Sequence, residues 1–170
     1  MDIKSLIRDV QDFPKEGIVF KDITTVLRDK DGLRTSVDLM QASLKDVDFD
    51  YVIGPESRGF IFGVPVAYNM NKGFIPIRKV GKLPYATKSK EYDLEYGTAV
   101  IEIHVDAIQP GDKVVIVDDL LATGGTSKAI IELIEELGGV VVKLVYLIEL
   151  EFLNGRNILG DYPIDAIIKY

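Results

Sequence analysis

The most regular hydrophobic pattern of the chain lies between Val114 and Gly139. Residues Val114 to Val117 are all apolar and do not alternate with polar ones, as in a strand buried on both faces of a parallel sheet. From Thr126 onward the apolar residues instead follow helical spacing, at Ala129, Ile130, Leu133, Ile134 and Leu137. Two glycines then end the helix. The segment predicts a strand, a loop and a helix in succession.

The rest of the chain repeats this change between strand and helix patterns. The opening "MDIKSLIRDVQDFP" predicts a short amphipathic helix, and an irregular segment follows with an extended stretch at residues 18–20. A helix is predicted over 33–44, a buried strand over 51–53, and a helix of small residues ending at Met70. Strands are predicted in "GFIPIRKVGK" and in the alternating, half-exposed "GTAVIEIHVDAI". "VVVKLVYLIEL" predicts a last long strand.

Strands that alternate with helices predict right-handed crossovers and a mostly parallel sheet. The predicted fold class is therefore α/β, with a mostly parallel twisted sheet flanked by helices. The length of 170 residues suits one domain, and neither a linker nor an internal repeat divides it.

Composition and charge exclude several classes of protein. The chain has no cysteine, which excludes a disulfide scaffold, a thiolate zinc site and a cysteine nucleophile. No run approaches the ~18 apolar residues of a membrane span, and the first residues lack the apolar centre of a signal peptide. We therefore expect a cytoplasmic protein without a membrane partner. The net charge of −7 argues against nucleic acid as a partner.

Candidate chemistry follows the central strand. Asp118 and Asp119 precede a Thr-Gly-Gly-Thr turn at the carboxyl edge of the predicted sheet, where α/β proteins bind ligands. Small residues let backbone amides approach an anion, and the next helix adds a favourable dipole. The turn predicts a phosphate cradle, and the carboxylates could accept sugar hydroxyls or hold hydrated Mg²⁺. An ordinary strand-to-helix turn with a capping aspartate explains the same residues equally well.

Two further segments carry positive charge towards the same edge. The stretch "RKVGKLPYATKSK" holds five basic residues and no acid, and it is either a solvated loop or an anion-binding loop. The loop after the strand at 51–53 contains Arg58. A ligand with a phosphate, a sugar diol and a second polyanion would occupy all three segments. Phosphoribosyl pyrophosphate is such a ligand.

The motif "VVIVDDLLATGGT" resembles the phosphoribosyl-pyrophosphate signature of type I phosphoribosyltransferases. Four more segments, "FPKEGIVFKDIT", "PESRGF", "IRKVGKLP" and "LEYGTAVIEIHVDAI", resemble the adenine-specific members in order and spacing, so the resemblance covers nearly the full length. It implies one domain over 1–170, with a base-binding hood over roughly residues 1–32 and a core over roughly 33–170. The long connection from Gly81 to Glu95 is expected to form a flexible lid loop.

The resemblance also implies a reaction of purine salvage. Adenine and phosphoribosyl pyrophosphate would give AMP and pyrophosphate, with Mg²⁺ bridged through the substrate and able to reach Asp118 and Asp119 through water. A homodimer is implied as well. Enzymes for 6-oxopurines usually carry an aspartate where this chain has Ala122. A phosphoribosyltransferase for another base, xanthine or a 6-oxopurine, and a non-catalytic sensor of phosphoribosyl pyrophosphate are the alternatives.

The same resemblance assigns roles to individual residues. Catalysis is expected from Glu95, which would exchange a proton at the purine, with Tyr96 beside it and Arg58. The ribose hydroxyls would be bound by Asp118 and Asp119. The 5′-phosphate would be bound by Ala122, Thr123, Gly124, Gly125 and Thr126. The pyrophosphate side would be lined by Ser57, Arg58, Lys79 and Lys82. Phe20 and Leu120 would sandwich the purine, while Val19 and Lys21 recognise its edge.

Overall fold

The computed structural model describes residues 1–94 and 97–170. They form two compact units, residues 1–39 and residues 40–170. Glu95 and Tyr96, which the sequence predicts to be catalytic, lie outside the described residues.

The first unit is built around a two-stranded antiparallel ribbon. A 3₁₀ helix, Ile3–Leu6, precedes strands Arg8–Gln11 (β1) and Val19–Asp22 (β2), and helices Thr24–Arg28 (α1) and Lys30–Ala42 (α2) follow. The extended stretch predicted at 18–20 is confirmed by β2. The amphipathic helix predicted for the first residues is wrong beyond its first turn. The reason is that Arg8–Gln11 pairs with β2, with Val10 opposite Phe20, so tertiary pairing overrides the local pattern.

The second unit contains a seven-stranded sheet in the order β5-β6-β4-β3-β7-β8-β9. Its strands are Tyr51–Pro55 (β3), Gly73–Lys79 (β4), Thr87–Asp93 (β5), Thr98–His104 (β6), Lys113–Leu121 (β7), Val140–Glu149 (β8) and Ile164–Lys169 (β9). Its further helices are Arg58–Asn69 (α3), Gly125–Glu136 (α4) and Arg156–Leu159 (α5), with a 3₁₀ turn at Glu151–Leu153. Four of the six strand pairings are parallel, which confirms the predicted α/β class.

The central strand β7 lies between β3 and β8. Its residues Val114 to Val117 are fully buried, as the uninterrupted apolar run predicts. Val114 and Ile116 belong to a core cluster that also contains side chains of the neighbouring strands and of α4, among them Ile53, Leu144, Ile130 and Leu133. β7 continues to Leu121, so Asp118 and Asp119 are its last polar residues instead of the start of the loop.

Two strands of the seven-stranded sheet were missed from the sequence. Thr87–Asp93 lies within the predicted lid loop and pairs with β6 from Thr87 opposite His104 to Asp93 opposite Thr98. Its sequence, TKSKEYD, contains little apolar surface, so pairing with β6 and not burial makes it a strand. Ile164–Lys169 follows the strand that was predicted to be the last one. Among the described residues, no helix has the length and apolar character needed to cross a membrane.

Candidate functional site

A cavity of about 280 Å³ opens in the second unit, where β3, β4 and β7 reach their carboxyl ends. Parallel strands bring these ends to one edge of the sheet, the usual place for ligands in α/β folds. Three chain segments line most of it, residues 55–58, 77–79 and 118–127, together with Tyr92 and Ile101. The predicted site residues among them are Ser57, Arg58, Lys79, Asp118, Asp119, Leu120, Ala122, Thr123, Gly124, Gly125 and Thr126.

The two carboxylates at the end of β7 have different partners. Asp119 Oδ2 lies 2.9 Å from Nε of Arg58, and its side chain is 8% exposed. The Asp119 amide donates a hydrogen bond of 2.8 Å to Oδ1 of Asp118. Loss of solvent raises the pKa of Asp118 well above its usual value, the neighbouring Asp119 raises it further, and the Asp119 amide and Arg58 offset only part of this. Asp118 therefore binds a proton more tightly than an exposed aspartate does.

The turn after β7 presents backbone amides to the cavity edge. Gly124 has a left-handed conformation, with φ +89°, and α4 begins at the next residue. The first hydrogen bond of the helical ladder runs from the Lys128 amide to the Gly124 carbonyl, at 2.9 Å. The amides of residues 125–127 precede that bond, so the ladder does not use them. With the helix dipole, they make this turn favourable for an anion.

Close packing against residues 155–158 keeps the turn in place. A Cβ atom on Gly124 would lie 2.7 Å from the carbonyl oxygen of Gly155, and one on Gly155 would clash with the carbonyl oxygen of Ala122. The following Arg156 is held by Glu149 at the end of β8, with Nε–Oε1 2.7 Å and Nη2–Oε2 2.8 Å. The bidentate bond from Arg156 lowers the pKa of Glu149. There is therefore no room for a side chain at Gly124 or at Gly155, where the turn packs against residues 155–158.

The opposite wall is formed where β3 leads into α3. Ser57 directly precedes α3 and Arg58 is its first residue, while Lys79 ends β4. Glu56 joins the two strand ends, since its Oε1 accepts hydrogen bonds from the Lys79 amide at 2.7 Å and from Nε of Arg78 at 3.2 Å. Desolvation alone would raise the pKa of Glu56, but the Lys79 amide and the Arg78 guanidinium together lower it.

The basic stretch that the sequence predicts as a unit is divided in the structure. Arg78 and Lys79 line the cavity, whereas the exposed Lys82 is outside its lining in the part of the chain that the structure describes. Lys88 and Lys90 lie on β5 and pair with α4: Lys90 Nζ is 2.8 Å from Oε1 of Glu136. Those two lysines therefore fix β5 to the helix and do not form an anion-binding loop.

Three of the residues predicted to bind the base, Val19, Phe20 and Lys21, lie on β2 in the first unit. The Phe20 and Phe13 ring centroids are 5.1 Å apart in an edge-to-face arrangement, and Lys21 Nζ is 2.7 Å from Oδ1 of Asp9. Val19 is 40% exposed. Leu120 lines the cavity of the second unit. The purine sandwich of Phe20 and Leu120 stays a prediction.

Sequence reasoning missed two hydroxyl groups at the cavity. Tyr92 on β5 accepts a hydrogen bond of 3.2 Å from Oγ1 of Thr126. Ser127 in the first turn of α4 is buried and hydrogen-bonded to the hydroxyl of Tyr146 on β8. Tyr92 was not identified because β5, the strand that carries it, was not predicted. For Ser127, the only signal in the sequence was a small polar residue at a position that helical spacing places on the apolar face of the helix.

Comparison with known proteins agrees with this geometry. The phosphoribosyl transferase domain family matches residues 24–157. The adenine phosphoribosyltransferase of Lachnoclostridium phytofermentans is 61% identical, over 99% of this chain and 97% of the relative. That of Acetivibrio thermocellus is 57% identical over the full length of both.

Solved structures give the same result. The crystal structure of adenine phosphoribosyltransferase from Thermoanaerobacter pseudethanolicus has a TM-score of 0.97 and 52% identity, covering 99% of this chain and 98% of that one. The Saccharomyces cerevisiae enzyme, crystallised with an imino-altritol bisphosphate and adenine, has a TM-score of 0.91 and 36% identity, covering 98% and 96% of the two chains.

Proposed function

Because the chain belongs to the phosphoribosyltransferase family and, within it, to the adenine phosphoribosyltransferases, we propose that it makes AMP and pyrophosphate from adenine and phosphoribosyl pyrophosphate. One observation carries the proposal. The acidic end of β7 and the glycine turn share a cavity with Arg58 and Lys79. A ribose diol, a 5′-phosphate and a pyrophosphate would each find groups of suitable charge there.

In the proposed reaction, a bond forms between N9 of adenine and C1′ of the ribose. The bond from C1′ to the pyrophosphate oxygen breaks, and adenine gives up one proton. Positive charge develops on the sugar and negative charge on the leaving group, so fixed charges in the site stabilise the transition state. Asp118 and Asp119 serve the sugar, the amides of the turn after β7 hold the 5′-phosphate, and Arg58 and Lys79 receive the pyrophosphate.

The donor groups of the cavity fit Mg²⁺ as a cofactor. Asp118 and Asp119 offer oxygen ligands, which Mg²⁺ prefers, and it commonly binds through one or two carboxylates, substrate phosphates and water. Among residues 1–94 and 97–170, no group of three or more histidine, aspartate or glutamate side chains could hold a metal ion alone. The two aspartates would therefore hold the ion together with substrate oxygens and water. Bound Mg²⁺ would neutralise part of the charge of the leaving pyrophosphate.

We also propose that the enzyme is a homodimer that uses α3. Ile61, Val64 and Tyr68 follow helical spacing on α3 and are 37%, 47% and 84% exposed. These residues form an exposed apolar face on α3, the helix that begins with Arg58. A second copy of the chain would cover this face. Sedimentation of the wild type at micromolar concentration should give the dimer mass, and Val64→Asp should shift it to the monomer. A wild-type monomer mass would contradict this proposal.

The reaction is tested by supplying phosphoribosyl pyrophosphate and Mg²⁺ with one base at a time. Adenine, hypoxanthine, guanine, xanthine and orotate are compared, and the nucleotide products are identified by mass spectrometry. We expect AMP from adenine and little product from the others, because Ala122 stands where enzymes for 6-oxopurines usually carry an aspartate. GMP or xanthosine monophosphate as the main product would favour an enzyme for another base. Binding of phosphoribosyl pyrophosphate without any product would favour a sensor.

A further inference from the structure

A buried hydrogen bond connects the first turn of α4 to the sheet. Tyr146 on β8 has no exposed surface, and its hydroxyl is bonded to Oγ of Ser127. Ser127 is the third residue of α4, is 4% exposed and lines the cavity. The bond therefore joins a strand of the core to the turn that would hold the 5′-phosphate.

Packing alone does not require these two hydroxyls. Burying a hydroxyl is unfavourable unless it is hydrogen-bonded, and phenylalanine with alanine would fill similar space without polar atoms. A buried helical serine can also satisfy itself locally. Ser36 does so in α2, where its Oγ donates to the carbonyl of Gly32, at 2.8 Å. Ser127 is instead bonded to a different element of the fold.

Tyr146 also has a defined position relative to the carboxylates. In the parallel pairing of β7 with β8, Asp118 is opposite Tyr146. Tyr146 thus lies beside the strand position of Asp118 and is bonded to the turn after β7.

We propose that Tyr146 and Ser127 are positioning residues for the 5′-phosphate. Their hydrogen bond sets the distance from the amides of residues 125–127 to Asp118 and Asp119, so one substrate can reach both groups. Neither hydroxyl takes part in the reaction itself. The inference rests on the proposed function and concerns how the phosphate end of its substrate is held.

The test compares binding of AMP and adenosine by calorimetry, because the two ligands differ only in the 5′-phosphate. Tyr146→Phe and Ser127→Ala should each lower the ratio of AMP to adenosine affinity by about tenfold, the upper range for one hydrogen bond. The double variant should lower it no further, since both changes remove the same bond. KM for phosphoribosyl pyrophosphate should rise while kcat changes little.

Tyr162→Phe is the matched control. The Tyr162 hydroxyl is bonded to Glu135, near the other end of α4, so this variant removes the same atom far from the turn. It should leave the affinity ratio unchanged. An unchanged ratio in folded Ser127→Ala, or an equal fall in Tyr162→Phe, would overturn the proposal, and Ser127→Ala decides alone if Tyr146→Phe does not fold. Wild-type protein that forms no AMP from adenine would contradict the proposed function only, because the ratio is measured by binding.

Discussion

Arg58 and Asp119 form an ion pair in the wall of the cavity, with Nε of the guanidinium 2.9 Å from Oδ2 of the carboxylate. Arg58 is the first residue of α3, and Asp119 is near the end of β7. The pair links the wall predicted to receive pyrophosphate with the carboxylates predicted to receive ribose. Because Asp119 is almost fully buried, removal of Arg58 would leave its charge without this partner.

Arg58→Ala should weaken binding of phosphoribosyl pyrophosphate. A hydrogen bond to a charged group contributes about 1.5–3 kcal/mol, so KM for this substrate should rise by roughly one to two powers of ten. Lys113→Ala is the control, since Lys113 pairs with Asp48 at the opposite end of β7. Steady-state kinetics at varied phosphoribosyl pyrophosphate measures both variants. An Arg58→Ala enzyme with the wild-type KM would remove Arg58 from the binding site.

The raised pKa of Asp118 makes stability depend on pH. An exposed aspartate titrates near 3.8, and burial raises the pKa of Asp118 in the folded protein, with Asp119 adding to the shift. The favourable contribution of the protonated form is complete below the unfolded value and is lost as pH rises through the folded pKa. Asp118→Asn, which carries no charge, should therefore be more stable than the wild type at neutral pH. The difference should shrink towards about pH 4.

Urea unfolding of both proteins across this pH range measures the difference. Asp48→Asn is a control of opposite sign, because the hydrogen bond and charge of Lys113 lower the pKa of Asp48. That variant should gain no stability at neutral pH. An Asp118→Asn protein less stable than the wild type at neutral pH would show that the Asp118 carboxylate is not destabilised by burial.

The central unit of strand, turn and helix was predictable because its signals are local. An uninterrupted apolar run, a glycine turn and helical spacing from Ala129 to Leu137 each act within a few residues. β5 was not predictable in this way, since its polar sequence becomes a strand only by pairing with β6. The same holds for the bond from Arg58 to Asp119 and for the contacts of Glu56, which join residues far apart in sequence.

Gly124→Ala should damage both stability and activity. The left-handed conformation disfavours any side chain by about 1–2 kcal/mol, and the new Cβ would lie 2.7 Å from the Gly155 carbonyl oxygen. Gly111→Ala separates these effects, because Gly111 has a similar φ of +90° and no atom within 4 Å of a Cβ. Thermal unfolding should show a larger loss for Gly124→Ala, and only that variant should lose activity. Equal losses in both would mean that the contact with Gly155 does not hold the turn.

Substrates should slow hydrogen exchange in the segment predicted to form the lid. Closure over a bound ligand shields backbone amides, so exchange in β5 should fall when phosphoribosyl pyrophosphate and a non-reactive adenine analogue are added. β9, on the opposite edge of the sheet, is the internal reference and should change little. Exchange followed by mass spectrometry reports both strands. Equal exchange in β5 with and without ligands would contradict closure.

Glu95 is predicted to exchange a proton with the purine ring, and this assignment rests on the resemblance of "LEYG" to the adenine-specific enzymes. Glu95→Gln keeps the size of the side chain but cannot accept the proton, so kcat should fall by about 10²–10⁴-fold, the usual contribution of general acid–base catalysis. Binding of phosphoribosyl pyrophosphate should change little, because its phosphate groups are assigned to the turn after β7 and to Arg58 and Lys79. Glu91→Gln is the matched control, since it removes the same charge from an exposed position on β5. A normal kcat in Glu95→Gln would exclude Glu95 from catalysis, and an equal loss of kcat and substrate affinity would indicate a damaged lid instead.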